Sequence, residues 1–201
     1  MADFSIEKTF NGPVIGLDEV GRGPLAGPVV SCGCYFKNYN LDKLKIYNFE
    51  LIKDSKKLSP KNRKLALHEL KKLKKNKLVQ FNLGIATVDE IDNLNILNAT
   101  KLSMTRVIKK FKILNPTLII DGNFKLDFKN YKEKSIIKGD ELSISIAAAS
   151  IIAKVYRDRL MSMLSKRYTQ FDWEKNSGYG TAKHIHNIKL FGPTAYHRKS
   201  L

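Results

Sequence analysis

Apolar positions fall into short dense runs separated by polar stretches, and the spacing inside each run predicts an element. Val14-Ile15-Gly16-Leu17 is wholly apolar and predicts a short buried strand. Two adjacent carboxylates, Asp18 and Glu19, close it. On a regular strand they point to opposite faces, so both meet one site only if the strand ends or bulges there. Gly21 and Gly23, flanking Arg22, supply the backbone freedom for that and for close approach to a ligand. Residues 26–36 predict a second strand, paired with the first through the Gly- and Pro-rich turn.

Further along, Ser59-Pro60 predicts a helix start, N-cap then first turn, with Ala66, Leu70 and Leu73 as the apolar stripe of a helix reaching about Asn76. Val79, Phe81, Leu83 and Ile85 alternate with polar or small residues, which predicts a half-buried strand. Thr87 predicts the cap of one long helix, Val88 to about Leu114, with Leu94, Leu97, Met104, Ile108 and Phe111 as its stripe. Asn115-Pro116 ends it. Leu118-Ile119-Ile120 reads as a central strand ending on Asp121-Gly122-Asn123, and Ser135-Ile136-Ile137-Lys138 as another ending on Gly139-Asp140. Glu141 to about Arg167 is then a helix apolar nearly all round, hence buried. Ala147-Ala148-Ala149 lets it approach a sheet closely, and Ser143, Ser150, Lys154 and Asp158 line one side. A last helix is predicted over Thr181–Leu190. The sequence shows no repeats, linkers or low-complexity segments.

The 201 residues fit one domain, 1–201, with a core over about 1–165 and a helical part over 166–201. No apolar run approaches a membrane span, and the N-terminus lacks the basic and apolar regions of a signal peptide. A cytoplasmic protein, with no membrane partner, is the expectation. Cys32 and Cys34 read as small buried thiols, since no partners for a metal site are visible. Net charge is +17. A polyanionic partner explains it; an AT-rich genome favouring lysine codons is the alternative source. The same two readings, solvated face or nucleic-acid contact, stand for the basic surface of the 60–76 helix.

Codon usage does not explain where the carboxylates lie. Three predicted strand ends carry Asp18, Asp121 and Asp140, with Glu19 beside the first. In mixed α/β sheets ligands bind beyond the carboxyl ends of strands. Carboxylates gathered there repel one another unless cations neutralise them, and oxygen ligands without a His or Cys cluster favour Mg²⁺ or Mn²⁺ over Zn²⁺. In a basic protein such a set points to two-metal phosphodiester chemistry, with the ions about 3.5–4 Å apart.

At these residues the sequence resembles the ribonuclease HII family. The resemblance is carried by Leu17-Asp18-Glu19-Val20-Gly21-Arg22-Gly23-Pro24, Asp54-Ser55-Lys56-Lys57-Leu58, Asp121-Gly122-Asn123 and Lys138-Gly139-Asp140. It continues through Ala148-Ala149-Ser150-Ile151-Ile152-Ala153-Lys154-Val155 with Arg157-Asp158, Gly178-Tyr179-Gly180-Thr181, and Gly192-Pro193-Thr194 to His197-Arg198. These blocks span nearly the whole chain in order. The resemblance implies an α/β, RNase H-like fold: a five-stranded mixed sheet flanked by helices, with a C-terminal helical part. It implies Asp18, Glu19, Asp121 and Asp140 as catalytic metal ligands for two Mn²⁺ or Mg²⁺ ions. It also implies Gly21, Arg22, Gly23 and Tyr179 as readers of the RNA–DNA junction.

The implied activity is hydrolysis of the RNA strand of RNA/DNA hybrids, and cleavage 5′ of ribonucleotides embedded in duplex DNA, as in ribonucleotide excision repair. No obligate protein partner is evident, and a monomer is expected. Lys56 and Lys57 are phosphate ligands or ordinary surface lysines; Ser150 and Lys154 gain weight as substrate contacts from their buried helix. His184, His186 and His197 are assigned loop or phosphate-contact roles, since metal-activated water needs no histidine base, and Trp173 is assigned to packing. The chain stops at Leu201 without the extension that carries sliding-clamp motifs in some relatives, so the resemblance does not extend to a clamp. Arg22, Asp140 and the short length argue against ribonuclease HIII. Two rival readings remain: another RNase H-like nuclease, and a nucleic-acid-binding module without catalysis, which explains the charge but not the carboxylates.

Overall fold

The computed structural model describes residues 1–40, 44, 47, 50–53 and 58–200. Lys56 and Lys57, with Asp54 and Ser55, lie outside the described residues. The strands are β1 (Val14–Val20), β2 (Val29–Phe36), β3 (Val79–Ala86), β4 (Thr117–Asp121) and β5 (Lys132–Ile136). The α-helices are α1 (Glu50–Lys53), α2 (Pro60–Lys75), α3 (Val88–Leu94), α4 (Ile96–Ile108), α5 (Gly139–Leu142), α6 (Ile144–Ser165), α7 (Trp173–Asn176) and α8 (Ala182–Phe191).

The strands form one five-stranded sheet in the order β3-β2-β1-β4-β5. β1, β2 and β3 are successively antiparallel, and β1, β4 and β5 are parallel neighbours. The sheet is therefore mixed, as expected. Its two faces follow from the period of two along each strand. Ile15, Leu17, Leu118 and Ile120 pack with Met104, Val107 and Ile108 of α4. Val30, Cys32, Cys34 and Phe36 face the other way, onto Ala147, Ala148, Ala149, Ile151 and Ile152 of α6 and onto Ala66, Leu70 and Leu73 of α2. Each fully buried Leu, Ile or Val contributes roughly 1.5–3 kcal/mol. Both cysteines are free and buried. At Gly16 a Cβ would meet the Ser145–Ile146 backbone, so this glycine sets how closely α6 rides on β1.

Several expected boundaries shift. β1 neither ends nor bulges at Asp18: its ladder with β2 continues through Asp18↔Cys32, Glu19↔Ser31 and Val20↔Val30. The helix expected from Val88 to Leu114 is two, broken at Asn95, whose φ of 68° no α-helix contains. Thr87 closes a capping box with Glu90, and Asn95 caps the second helix through Asn98 N. The break turns the apolar stripe, so Leu94 and Leu97 are exposed while Ile91, Ala99 and Val107 are buried. The strand expected at 135–138 lies at Lys132–Ile136. Lys138 is left-handed, and Asp140 stands in α5 rather than at a strand end. Ser143 caps α6, which splits the expected 141–167 helix, and it faces buried Glu7 instead of the side carrying Ser150 and Lys154.

Candidate active site

β1 and β4 are parallel neighbours whose pairing stops at Leu17↔Ile120. The next residues along them, Asp18 and Asp121, therefore stand side by side at the carboxyl ends, on the face covered by α6. Burial pushes the Asp18 carboxyl well above its usual range, and the charges of Glu19 and Asp121 push it further. Two neighbours oppose this, the Ser150 hydroxyl on α6 and the Glu19 N–H, which donates to Asp18 Oδ1 at 2.7 Å. The structure thus brings Ser150 near the Asp18 carboxyl. Asp121 Oδ1 accepts the Gly139 N–H at 2.6 Å, which ties the turn carrying Asp140 to the end of β4. Gly139 has no side chain to separate them: a Cβ there would sit 3.3 Å from Asp121 Oδ1. Asp140 is buried at the next position.

Glu19 leaves the opposite face of β1, since the strand runs on through it. But β1 there extends past its pairing with β4, and the Glu19 carboxyl comes near enough to Asp121 to feel its charge, so both carboxylates meet one site without a bulge. Burial raises its carboxyl to about 7, Arg22 lowers it, and Asp121 raises it again. One oxygen, Oε1, faces Arg22 Nη1 at 3.4 Å. The other, Oε2, is buried without a partner among the described residues. Among the described residues, no three His, Cys, Asp or Glu side chains already stand as a metal-holding group. The donor chemistry nonetheless fits a hard divalent cation: all-oxygen ligands and, at Glu19, an orphaned buried carboxylate oxygen.

The Gly21-Arg22-Gly23 turn sits beside this cluster. Arg22 lies over the Phe124 ring, 5.7 Å from its centre, as well as facing Glu19. Tyr179 is 44% exposed, and a Cβ on Gly23 would lie 3.8 Å from its Cε1, so the turn and the ring are neighbours. The Tyr179 turn is anchored. Gly178 O accepts from Leu25 N at 2.8 Å and Ala26 N at 3.3 Å, and Tyr179 N donates to Asn176 O at 2.9 Å. Lys154 is placed one turn beyond Ser150, but its ammonium is bound to Asp158 at 2.6 Å. Asp158 also meets Ser177 Oγ at 3.3 Å and Arg63 at 3.8 Å.

His184 and His197 correct the expectation of loop or phosphate contacts: both are buried. The Trp173 indole N–H donates to His184 Nε2 at 3.0 Å, and His184 Nδ1 is 2.8 Å from Tyr179 O. His197 Nδ1 accepts from Thr194 N at 2.9 Å, while its Nε2 is 3.1 Å from His184 Nε2. One set of tautomers satisfies every contact: His184 carries its proton on Nδ1 and His197 on Nε2, both neutral. Trp173 is packing, as expected, stacked on Phe171.

Two arginines that the spacing of apolar residues does not reveal complete the site. Arg157 is fully buried, donating to Pro28 O, Ala26 O and Ser177 O. Arg198 donates to Gly27 O, Arg22 O and Gly21 O. Burial and the neighbouring Arg157 charge lower Arg198 to about 10, which leaves it charged at neutral pH. A sequence marks such residues as polar and names no carbonyl as their partner.

Residues 15–200 match the family model for ribonuclease HII. The chain is 47% identical to the ribonuclease HII of Wolbachia sp. subsp. Brugia malayi (strain TRS) over 198 residues, covering 98% of this chain and 92% of that one. It superposes on the ribonuclease H2 of Pyrococcus horikoshii OT3 with a TM-score of 0.71 at 26% identity, over 94% and 93% of the two chains. The RNase HII of Archaeoglobus fulgidus, solved in complex with PCNA, gives 0.74 at 24% identity over 93% and 94%. A match of that extent, on an RNase H-like sheet with carboxylates gathered at its carboxyl edge, establishes that the chain belongs to the ribonuclease HII family of endonucleases.

Proposed function

We propose that the chain cuts the RNA strand of RNA/DNA hybrids and cuts 5′ of ribonucleotides embedded in duplex DNA, leaving 3′-hydroxyl and 5′-phosphate ends. The observation that carries this reading is the juxtaposition of two sites: the carboxylates on β1, β4 and α5, of which Asp18 and Asp140 are buried, and the Gly21–Gly23 turn lying against Tyr179. Asp18, Glu19, Asp121 and Asp140 would hold two divalent ions, Mn²⁺ or Mg²⁺, whose chemistry there would be to activate water and to stabilise the leaving oxygen. The chain's own residues orient the substrate. Ser150, beside the Asp18 carboxyl, favours its charged form. Arg22, held between Glu19 and Phe124, presents a planar fork to a phosphate. Gly21 and Gly23 let the backbone approach the ribose, whose 2′-hydroxyl is the local mark of RNA. The exposed Tyr179 ring packs on the neighbouring deoxyribose, where a ribose hydroxyl would crowd it.

Lys154 supports this surface through Asp158, and Lys56 and Lys57 supply phosphate contacts. Residues 1–201 act as one catalytic unit, monomeric and cytoplasmic, with the 166–201 part bringing Tyr179 to the site.

Asp18→Asn and Asp121→Asn test the cation site. Each removes one of several mutually repelling charges, so cleavage with Mn²⁺ should fall to background while the metal-free melting temperature stays level or rises. An active Asp18→Asn protein would sink the assignment. A duplex carrying one ribonucleotide, compared with a continuous hybrid, distinguishes this activity from that of other RNase H-like nucleases.

A further inference from the structure

The turn between β1 and β2 touches an apolar cluster through Ala26, which packs with Met161, Phe171 and Trp173. Between β1 and β2, residues 21–28 are rich in Gly and Pro, and their shape is set from below by the two buried guanidinium groups. Arg198 Nη1 takes Arg22 O at 2.8 Å, Nη2 takes Gly21 O at 2.5 Å and Gly27 O at 2.7 Å, and Nε takes Gly27 O at 3.0 Å. Arg157 takes Pro28 O at 3.0 Å and Ala26 O at 2.9 Å, and joins them to Ser177 O at 2.8 Å. Five of the turn's carbonyls thus point inward to two cations. Neither arginine has an ion-pair partner within 4.0 Å among the described residues, so these carbonyls carry their solvation.

A trans peptide places its C=O and the following N–H on opposite sides, and among the described residues no peptide is cis. Drawing the Gly21 and Arg22 carbonyls inward therefore turns the Arg22 and Gly23 N–H groups away from Arg198, on the turn that lies beside Tyr179. Among the described residues, neither N–H donates a hydrogen bond within the protein. The segment carrying Arg198 is also linked to Tyr179: Arg198 N donates to Leu25 O at 2.9 Å, Gly27 N donates to Tyr196 O at 2.8 Å, and His197 reaches Tyr179 O through His184.

We propose that Arg198 is a positioning residue for substrate selection: its guanidinium fork fixes the Gly21 and Arg22 peptides so that the Arg22 and Gly23 N–H groups meet the ribonucleotide strand beside Tyr179. The inference rests on the reading of Gly21–Gly23 and Tyr179 given under Proposed function, and it locates the origin of that selectivity in a residue that never touches the substrate. Arg198→Lys tests it, because lysine keeps the charge and loses the fork that serves three carbonyls at once.

The experiment measures kcat and KM for Arg198→Lys, Tyr179→Ala and Leu70→Ala on a single-ribonucleotide duplex and on a continuous RNA/DNA hybrid, with melting temperatures. Leu70 is buried under α2, away from the turn, and controls for lost stability. Arg198→Lys should lose activity on the single-ribonucleotide duplex by roughly 10–10²-fold relative to the hybrid, the scale of a misplacement of about 1 Å. Tyr179→Ala should shift the same ratio, and Leu70→Ala should lower the melting temperature with the ratio unchanged. If Tyr179→Ala shifts the ratio and Arg198→Lys does not, Arg198 is structural only and the inference is overturned. If neither shifts it, the junction reading itself is wrong.

Should Arg198→Lys not fold, amide NMR on the Asp18→Asn protein gives the answer. The Arg22 and Gly23 resonances should move on adding a ribonucleotide-containing duplex and stay in place with an all-DNA duplex. Unmoved resonances with both would overturn the outward orientation.

Discussion

Ser150 lowers the cost of the Asp18 charge where burial and the neighbouring carboxylates raise it. It sits on α6, which Gly16 lets ride close on β1, so its hydroxyl is held beside Asp18. Ser150→Ala should reduce cleavage or Mn²⁺ affinity by roughly 10–100-fold, the usual cost of losing a group that orients a metal ligand. A cleavage titration against Mn²⁺ checks this, and an unchanged curve would remove Ser150 from the site. The carboxylates themselves are legible in the sequence, because Asp18 and Asp121 each directly follow an apolar run, Val14–Leu17 and Leu118–Ile120. Asp140 was legible by number but not by setting, since Lys138 adopts a left-handed conformation that starts α5 where a strand was expected. Arg157 and Arg198 had no such signal: their partners are main-chain carbonyls, which every residue carries.

At the scale of elements, strands and helices with an alternating or periodic apolar stripe were legible, and the exceptions have local causes. Asn95 breaks one helix into two by capping the second, an option that apolar spacing does not register. β5 begins three residues before the expected 135–138 because it is an edge strand of sequence Lys-Glu-Lys-Ser-Ile, whose Glu133 bonds the Leu126, Asp127 and Phe128 amides instead of packing in a core. The joint between α8 and the C-terminal segment is the Trp173–His184–His197 network, and its chemistry makes it acid-sensitive. Burial, reinforced by His184, lowers His197 from 6.5 to about 4. The unfolded chain therefore takes up a proton between those pH values that the folded network refuses. Stability is complete above pH 6.5 and declines as pH falls toward 4. Melting temperature followed over that window should drop less steeply for His197→Gln than for the unsubstituted protein. Equal slopes would show that the histidine pair does not titrate with unfolding.

Over the molecule as a whole, a net charge of +17 surrounds an acidic site. Lys61, Lys64, Lys71, Lys72 and Lys75 are exposed along α2, and Arg63 of the same helix reaches Asp158 next to the Ser177–Tyr179 turn. Lysines that neutralise phosphates release counterions, so hybrid binding should weaken with salt at a logarithmic slope of roughly −0.9 per phosphate, the B-DNA value. Binding measured between low and moderate salt that stays flat would return these lysines to codon usage. No helix of the described residues is long and apolar enough to cross a membrane. The bond from Arg198 to the Gly21 carbonyl joins positions 177 apart along the chain. A ribosome therefore delivers the strands bearing Asp18 and Asp121 well before the residue that shapes the turn between β1 and β2. On the proposed role of Arg198, a turn made early in synthesis takes its working shape only when a segment made much later folds back beneath it.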